Sequence, residues 1–180
     1  NFPAAVRTFE EMYQLGDEEA RRARALVIDT YRAGRDLPRA LDEARKALEL
    51  YPQDTPLRIS YAMLLGEKGE TDEAARRLRE LLPGNSDARE VYLDLAQVYE
   101  RGKRYAEAEE AARTAEKLAG RPDDNEMVWF MLGAIYERQK KFDLAEEQFK
   151  RVLGVNPRNA PVLNYYGYML ADRGVRLDEE

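Results

Sequence analysis

From Glu126 onward the chain places Trp129, Leu132, Ile135 and Tyr136 at helical spacing. It breaks at Arg138-Gln139-Lys140-Lys141, then resumes the spacing with Phe142, Ala145, Phe149, Val152 and Leu153. Apolar side chains recurring every three or four positions line one side of an α-helix. The segment therefore predicts two short antiparallel helices joined by a polar turn. Gly133 and Ala145 are the small residues of the pair, so the helices should cross closely there, and a bulkier side chain should cost about 1–3 kcal/mol by overpacking.

The pattern recurs along the chain. Ala40, Ala74 and Ala108 are 34 residues apart and Ala145 follows after 37. Around them, in step, stand Val27, Tyr31, Ala44, Ala47 and Pro52, then Tyr61-Ala62, Leu65, Leu78 and Leu81, then Tyr92, Leu95-Ala96, Tyr99, Ala112 and Ala115. A fixed short period means one small element stacked on copies of itself, each burying its apolar face against its neighbours. The order Trp129, Leu132-Gly133, Tyr136, Ala145, Phe149, Pro157 resembles the tetratricopeptide repeat. That resemblance implies an all-α fold, a right-handed superhelical solenoid of antiparallel helix pairs. One departure stands out: Arg24 and Arg58 occupy the corner where the family pattern has a large residue, so an arginine stem must pack there or the corner stays wet.

The repeats are expected at 21–54, 55–88, 89–125 and 126–159. Residues 1–20 read as the second helix of a preceding partial repeat, and 160–180 as a truncated fifth repeat, all in one continuous domain. Gly34, Gly69 and Gly102 fall in the turns between paired helices, and Pro52, Pro83-Gly84 and Pro157 close the second helices. Three extra residues in the third repeat lie in Gly120-Arg121-Pro122-Asp123-Asp124, whose composition suits a loop. Ala5, Phe9, Met12 and Leu15 should share one helical face. Leu163, Tyr166-Gly167 and Leu170 open the last repeat, and Tyr166 and Leu170 should face solvent unless something covers them. The chain reads as a fragment of a longer, bacterial-type array.

Charge and composition narrow the function. A net charge of −6 argues against nucleic acid, which calls for clustered positive charge; the basic runs Arg101–Arg104 and Arg138–Lys141 read as solvated turns. With no Cys and no His, the chain lacks thiolates, disulfides, and the commonest general base and metal ligand. Ser60 and Ser86 have no adjacent base, and Glu107-Glu109-Glu110 and Glu146-Glu147 lie on an outward helical face. Asp123-Asp124-Asn125-Glu126 lacks the alternating ligands and central glycine of a calcium loop. No catalytic residue, metal ligand or cofactor is expected, and no segment is apolar enough to span a membrane.

The expected site is a groove. The resemblance implies that the first helix of each pair lines a concave surface, with Ala25, Ile59, Leu93, Phe130 and Asn164 pointing into it, Asp29, Met63, Gln97, Ala134 and Tyr168 one turn further, and Met127 and Tyr165 flanking. The peptide-binding residues are therefore expected to be Ile59, Met63, Leu93, Gln97, Met127, Phe130, Asn164, Tyr165 and Tyr168. Methionine and aromatic side chains exposed together suit an apolar protein partner. The Lys/Asn clamp by which some relatives hold a C-terminal carboxylate is missing, since Ala25, Asp29, Ser60, Glu90 and Asp94 stand in its place. The sequence thus reads as a non-enzymatic adaptor for an apolar or amphipathic peptide, with a structural, self-associating arm of a larger multi-subunit assembly, joined through exposed terminal helices, as the alternative. Residues 163–172 resemble a stretch of bacterial repeat proteins, some of them exported, and both cytoplasmic and exported locations stay open.

Overall fold

The computed structural model describes residues 2–172 and Gly174. Among them, regular structure is entirely helical: α1 (Phe2–Glu11), α2 (Asp17–Ala33), α3 (Leu37–Leu50), α4 (Thr55–Lys68), α5 (Thr71–Arg79), α6 (Ala88–Arg101), α7 (Tyr105–Lys117), α8 (Glu126–Arg138), α9 (Phe142–Val155) and α10 (Ala160–Asp172), with tight 3-10 turns at Met12–Gln14 and Pro122–Asn125. The second of these turns occupies the stretch expected to be loop. Among the described residues no helix is long and apolar enough to cross a membrane. The chain divides into an N-terminal unit ending at Asn85 and a C-terminal unit starting at Ser86.

In the N-terminal unit α2 pairs with α3 and α4 with α5. Ala23, Val27, Ile28, Ala40, Ala44, Ala47, Ala62, Leu64, Ala74 and Leu78 are buried between them. Alanines dominate the second helices because the axes approach closely there. Of the face expected from Ala5, Phe9, Met12 and Leu15, the first three are half-buried and only Leu15 departs. Helix α1 stops at Glu11, the tighter turn that follows rotates later side chains out of phase, and Leu15 is left 60 % exposed while Val6 takes the buried position.

The Arg24 corner is packed rather than wet. Its guanidinium lies 4.1 Å from the centroid of the Tyr13 ring, a cation–π contact. Burial, reinforced by the charge of Glu43, pushes the Tyr13 phenol up to about 12. Arg58 is half-buried and reaches Glu80 at 4.0 Å.

In the C-terminal unit α6 pairs with α7, α8 with α9, and α10 packs on α9. A Cβ added at Gly133 would lie 2.4 Å from the Phe149 ring, which confirms the close crossing and its intolerance of a side chain. Trp129 is buried, its Nε1 donates to Glu116 Oε1 at 2.9 Å, and the Arg151 guanidinium sits 4.4 Å from its ring centroid. Glu116 also accepts from Arg151 at 2.7 Å and Arg113 at 3.2 Å. Burial alone would raise this carboxyl; the hydrogen bonds from Trp129 and Arg151, the Arg151 charge and the Arg113 bond outweigh it and hold the group below its ordinary value. Leu170, expected to face solvent, is instead buried, and Tyr166 is half-buried with its ring 6.1 Å from that of Phe149.

The turns within the helix pairs share one geometry. Asp36 N–H donates to Tyr31 O, Glu70 to Leu65, Arg104 to Tyr99 and Lys141 to Tyr136, at 2.8–2.9 Å. Each closes a Schellman motif whose preceding residue is left-handed. That residue is Gly69 in one turn, but Arg35, Lys103 and Lys140 in the other three, each at φ 59°. Gly34 and Gly102 lie one position earlier with φ of −75° and −74°. The turn glycines expected from sequence are therefore at the turns, but two of the three are not at the position that needs glycine's conformational freedom.

Candidate functional site

Three first helices of the C-terminal unit supply the expected surface residues. Helix α8 begins where Asn159 and Asn156 amides donate to Glu126 Oε1 at 2.6 and 2.9 Å. Asn159 Oδ1 also caps α10 by accepting from Val162 N–H at 2.9 Å. One asparagine thus ties the start of α10 to the start of α8. Phe130 on α8 and Tyr165 on α10 then meet edge to face, with centroids 5.9 Å apart, and both rest on Phe149, at 6.2 and 5.6 Å. Such geometry matches the positive edge of one ring to the negative face of another.

Around this half-buried aromatic pair, Met127 is 63 % exposed and Tyr168 is 71 % exposed. Gln97 and Asn164 are exposed, whereas Leu93 is buried, 6 % exposed. Leu93 accordingly belongs to the core beneath the surface. Ile59 and Met63 lie in the N-terminal unit and are half-buried on α4. Neither lines the 220 Å³ hollow of that unit, whose lining includes Arg21, Arg22, Asp29, Asp54, Leu57 and Ser60, with Arg21 tied to Asp54 at 2.7 Å.

At the open end of α8 a hollow of about 430 Å³ is lined by Asp124, Glu126, Met127, Phe130, Asn159 and Pro161. Pro161 was missed in the sequence reading although it stands one period after Met127; register alone could have found it. Asn159 was missed because its part depends on a contact with Glu126 at the far end of the same repeat, which helical spacing does not encode. At the other end of α8, Arg138 Nε pairs with Glu100 at 2.6 Å, and Tyr165 O–H donates to Glu137 Oε2 at 3.3 Å. Burial, with the Glu137 charge, raises the Tyr165 phenol and keeps it protonated as that donor.

Nothing among the described residues gathers three acidic, histidine or cysteine side chains in metal-binding geometry. Asp124 bonds to Arg121 at 3.1 Å and Glu126 to the two asparagines, so these members of the acidic run serve the local structure. The arrangement offers an apolar, aromatic surface edged by hydrogen-bonded Glu126 and Glu137.

Solved structures share this fold at low sequence identity. A thermophilic TPR protein of Thermus thermophilus superposes with TM-score 0.73 at 18% identity, covering 94% of this chain and 91% of that one. Pseudomonas aeruginosa pilF superposes with TM-score 0.68 at 24% identity, covering 87% and 70%. YrrB, described as a TPR protein with an unusual peptide-binding site, gives 0.64 at 16% identity, covering 92% and 84%. No curated protein matches the sequence. Two family profiles described as tetratricopeptide repeat match residues 62–125 and 127–159. With helix pairs, small-residue crossings and repeated turn motifs all in the register of that family, the chain belongs to the tetratricopeptide repeat proteins, an all-α family of protein-interaction scaffolds.

Proposed function

We propose that this scaffold binds an apolar or amphipathic polypeptide segment on the surface formed by α6, α8 and α10, without catalysing a reaction. The observation that carries the reading is the exposure of Met127 and Tyr168 on either side of the Phe130–Tyr165 pair. Isolated exposed apolar residues are ordinary, but Met127, Phe130 and Pro161 line a 430 Å³ hollow and Phe130 continues into the Tyr165 ring, a grouping of the kind that marks interaction sites. Met127 is pliable and adapts to a partner, while the rings are rigid anchors with little entropy to lose. Gln97 and Asn164 supply polar contacts at the edges, and Leu93 supports the surface from below. Ile59 and Met63 are proposed as further contacts within the N-terminal unit, and the repeat limits 21–54, 55–88, 89–125 and 126–159 as the frame that positions them. A solved neighbour of the same fold, YrrB, is described as having a peptide-binding site, which supports the class of ligand.

Selection of binders from a displayed peptide library tests this. Selected peptides should lose at least most of their binding when Met127→Glu and Tyr168→Glu are combined, with helicity by circular dichroism unchanged because both side chains are exposed. Undiminished binding by that double variant defeats the surface assignment.

A second reading rests on Leu163, 47 % exposed on α10: a second copy could cover that helix face. Sedimentation should then show a concentration-dependent dimer that Leu163→Glu disrupts, and a monomer at all concentrations rejects it.

A further inference from the structure

We infer that the segment held on the α6–α8–α10 surface carries a cationic side chain at each end of its apolar stretch; this rests on the reading that the surface holds a polypeptide. Charge complementarity at the margins of the surface selects those ends. Several acidic groups beside the patch are already paired with basic ones: Glu90 with Arg89 at 2.9 Å, Glu100 with Arg138 at 2.6 Å and Asp124 with Arg121 at 3.1 Å. Glu126 and Glu137 are different. Glu126 accepts only from the Asn156 and Asn159 amides, and Glu137 only from the Tyr165 hydroxyl, among the described residues. Neutral donors fix where a carboxylate points and leave its charge in place.

The two carboxylates bracket the apolar surface. Both belong to α8, and their separation in sequence corresponds to about three turns and about 16 Å along the axis, so they leave the helix on nearly the same side. Between them that side carries Phe130 and Gly133, with Ala134 further round and Met127 next to Glu126 in the chain. An apolar patch displaces water when covered and strengthens attraction at its margins. A partner with lysine or arginine beside each carboxylate gains from each, more at Glu126 than at Glu137, which the exposed Lys140 and Lys141 follow in the turn. The net charge of −6 weighs in the same direction and against a second copy of this chain as the occupant.

Two labelled synthetic peptides decide the matter. They share one leucine and phenylalanine stripe at helical spacing, and one ends in lysines while the other ends in glutamates. Fluorescence anisotropy against the full chain should show the lysine-ended peptide binding about tenfold more tightly at low ionic strength. The preference should shrink at high salt and disappear in the chain carrying Glu126→Gln and Glu137→Gln, which still binds through the apolar stripe. Glutamine can still accept the asparagine and tyrosine hydrogen bonds; should the double variant lose helicity, Glu137→Gln alone must reduce the preference. Equal binding of the two peptides, or a preference untouched by these substitutions, overturns the charge assignment and leaves the surface assignment standing. Binding of neither peptide, or binding insensitive to Phe130→Ala, overturns both.

Discussion

The N-terminal and C-terminal units fill the same corner of the repeat with opposite halves of one interaction. In the C-terminal unit the corner residue is Trp129 and the cation above its ring is Arg151, from the second helix of the same repeat. In the N-terminal unit the corner residue is Arg24 and the ring is Tyr13, from the turn before the repeat. The position asks for a broad flat body able to stack, and either an indole or a guanidinium over a phenol meets that need. The two solutions differ in polar satisfaction. Trp129 Nε1 and Arg151 converge on Glu116, whereas Arg24 Nε and the Tyr13 hydroxyl are buried without a hydrogen-bond partner among the described residues. An unsatisfied buried donor costs free energy that a satisfied one does not.

Removing the corner side chains separates the two solutions most strongly. Trp129→Ala should destabilise the C-terminal unit by about 3–5 kcal/mol, and Arg24→Ala should destabilise the N-terminal unit by about 1–2 kcal/mol, read from urea unfolding followed by circular dichroism. Losses of equal size would mean that the corners are equivalent after all.

The Glu116 hub sharpens the contrast through pH. Its folded-state acidity is stronger than that of an unfolded glutamate, so its contribution is fully present above about pH 4.3 and is lost as pH falls through the depressed folded-state value. Glu116→Gln should therefore cost on the order of 1–3 kcal/mol at neutral pH and almost nothing in strong acid. A deficit that persists unchanged in acid would show that the residue acts by shape and not by charge.

Much of the fold was legible because repetition supplies its own control. The interval between alanines set the register, and Gly133 announced a close approach that the Phe149 ring confirms. What escaped the sequence lies in contacts that spacing does not encode. Tyr13 under Arg24 joins two repeats, and Asn159 ties the start of its own repeat at Glu126 to the next one at Val162. Leu93 has the right position for the surface yet is buried, since periodicity places a side chain near a groove without saying whether neighbours cover it. The turns misled by one residue because the Schellman geometry needs the left-handed conformation after Gly34 and Gly102, and a lysine or arginine adopts it at a modest energetic penalty.

That penalty gives the smallest effect. Lys103→Gly or Lys140→Gly should stabilise the C-terminal unit, and Arg35→Gly the N-terminal one, by about 0.5–1 kcal/mol each, seen as a higher Tm. Gly69, already left-handed, marks the turn where no such gain remains, and Gly69→Ala should lower the Tm.

The hollows of the two units differ: in the N-terminal unit Arg21, Arg22, Asp29 and Asp54 line one and Phe2, Val6 and Tyr31 another, and in the C-terminal unit Met127, Phe130 and Pro161 line the one at the start of α8. Chemical-shift mapping by NMR, with a library-selected peptide titrated into the full chain, tests that difference most directly. The account predicts the largest shifts at Met127, Phe130, Tyr165 and Tyr168, with those of Phe149 following as the ring cluster adjusts. Shifts confined to the outward faces of α7 and α9, or to the N-terminal unit alone, would contradict it.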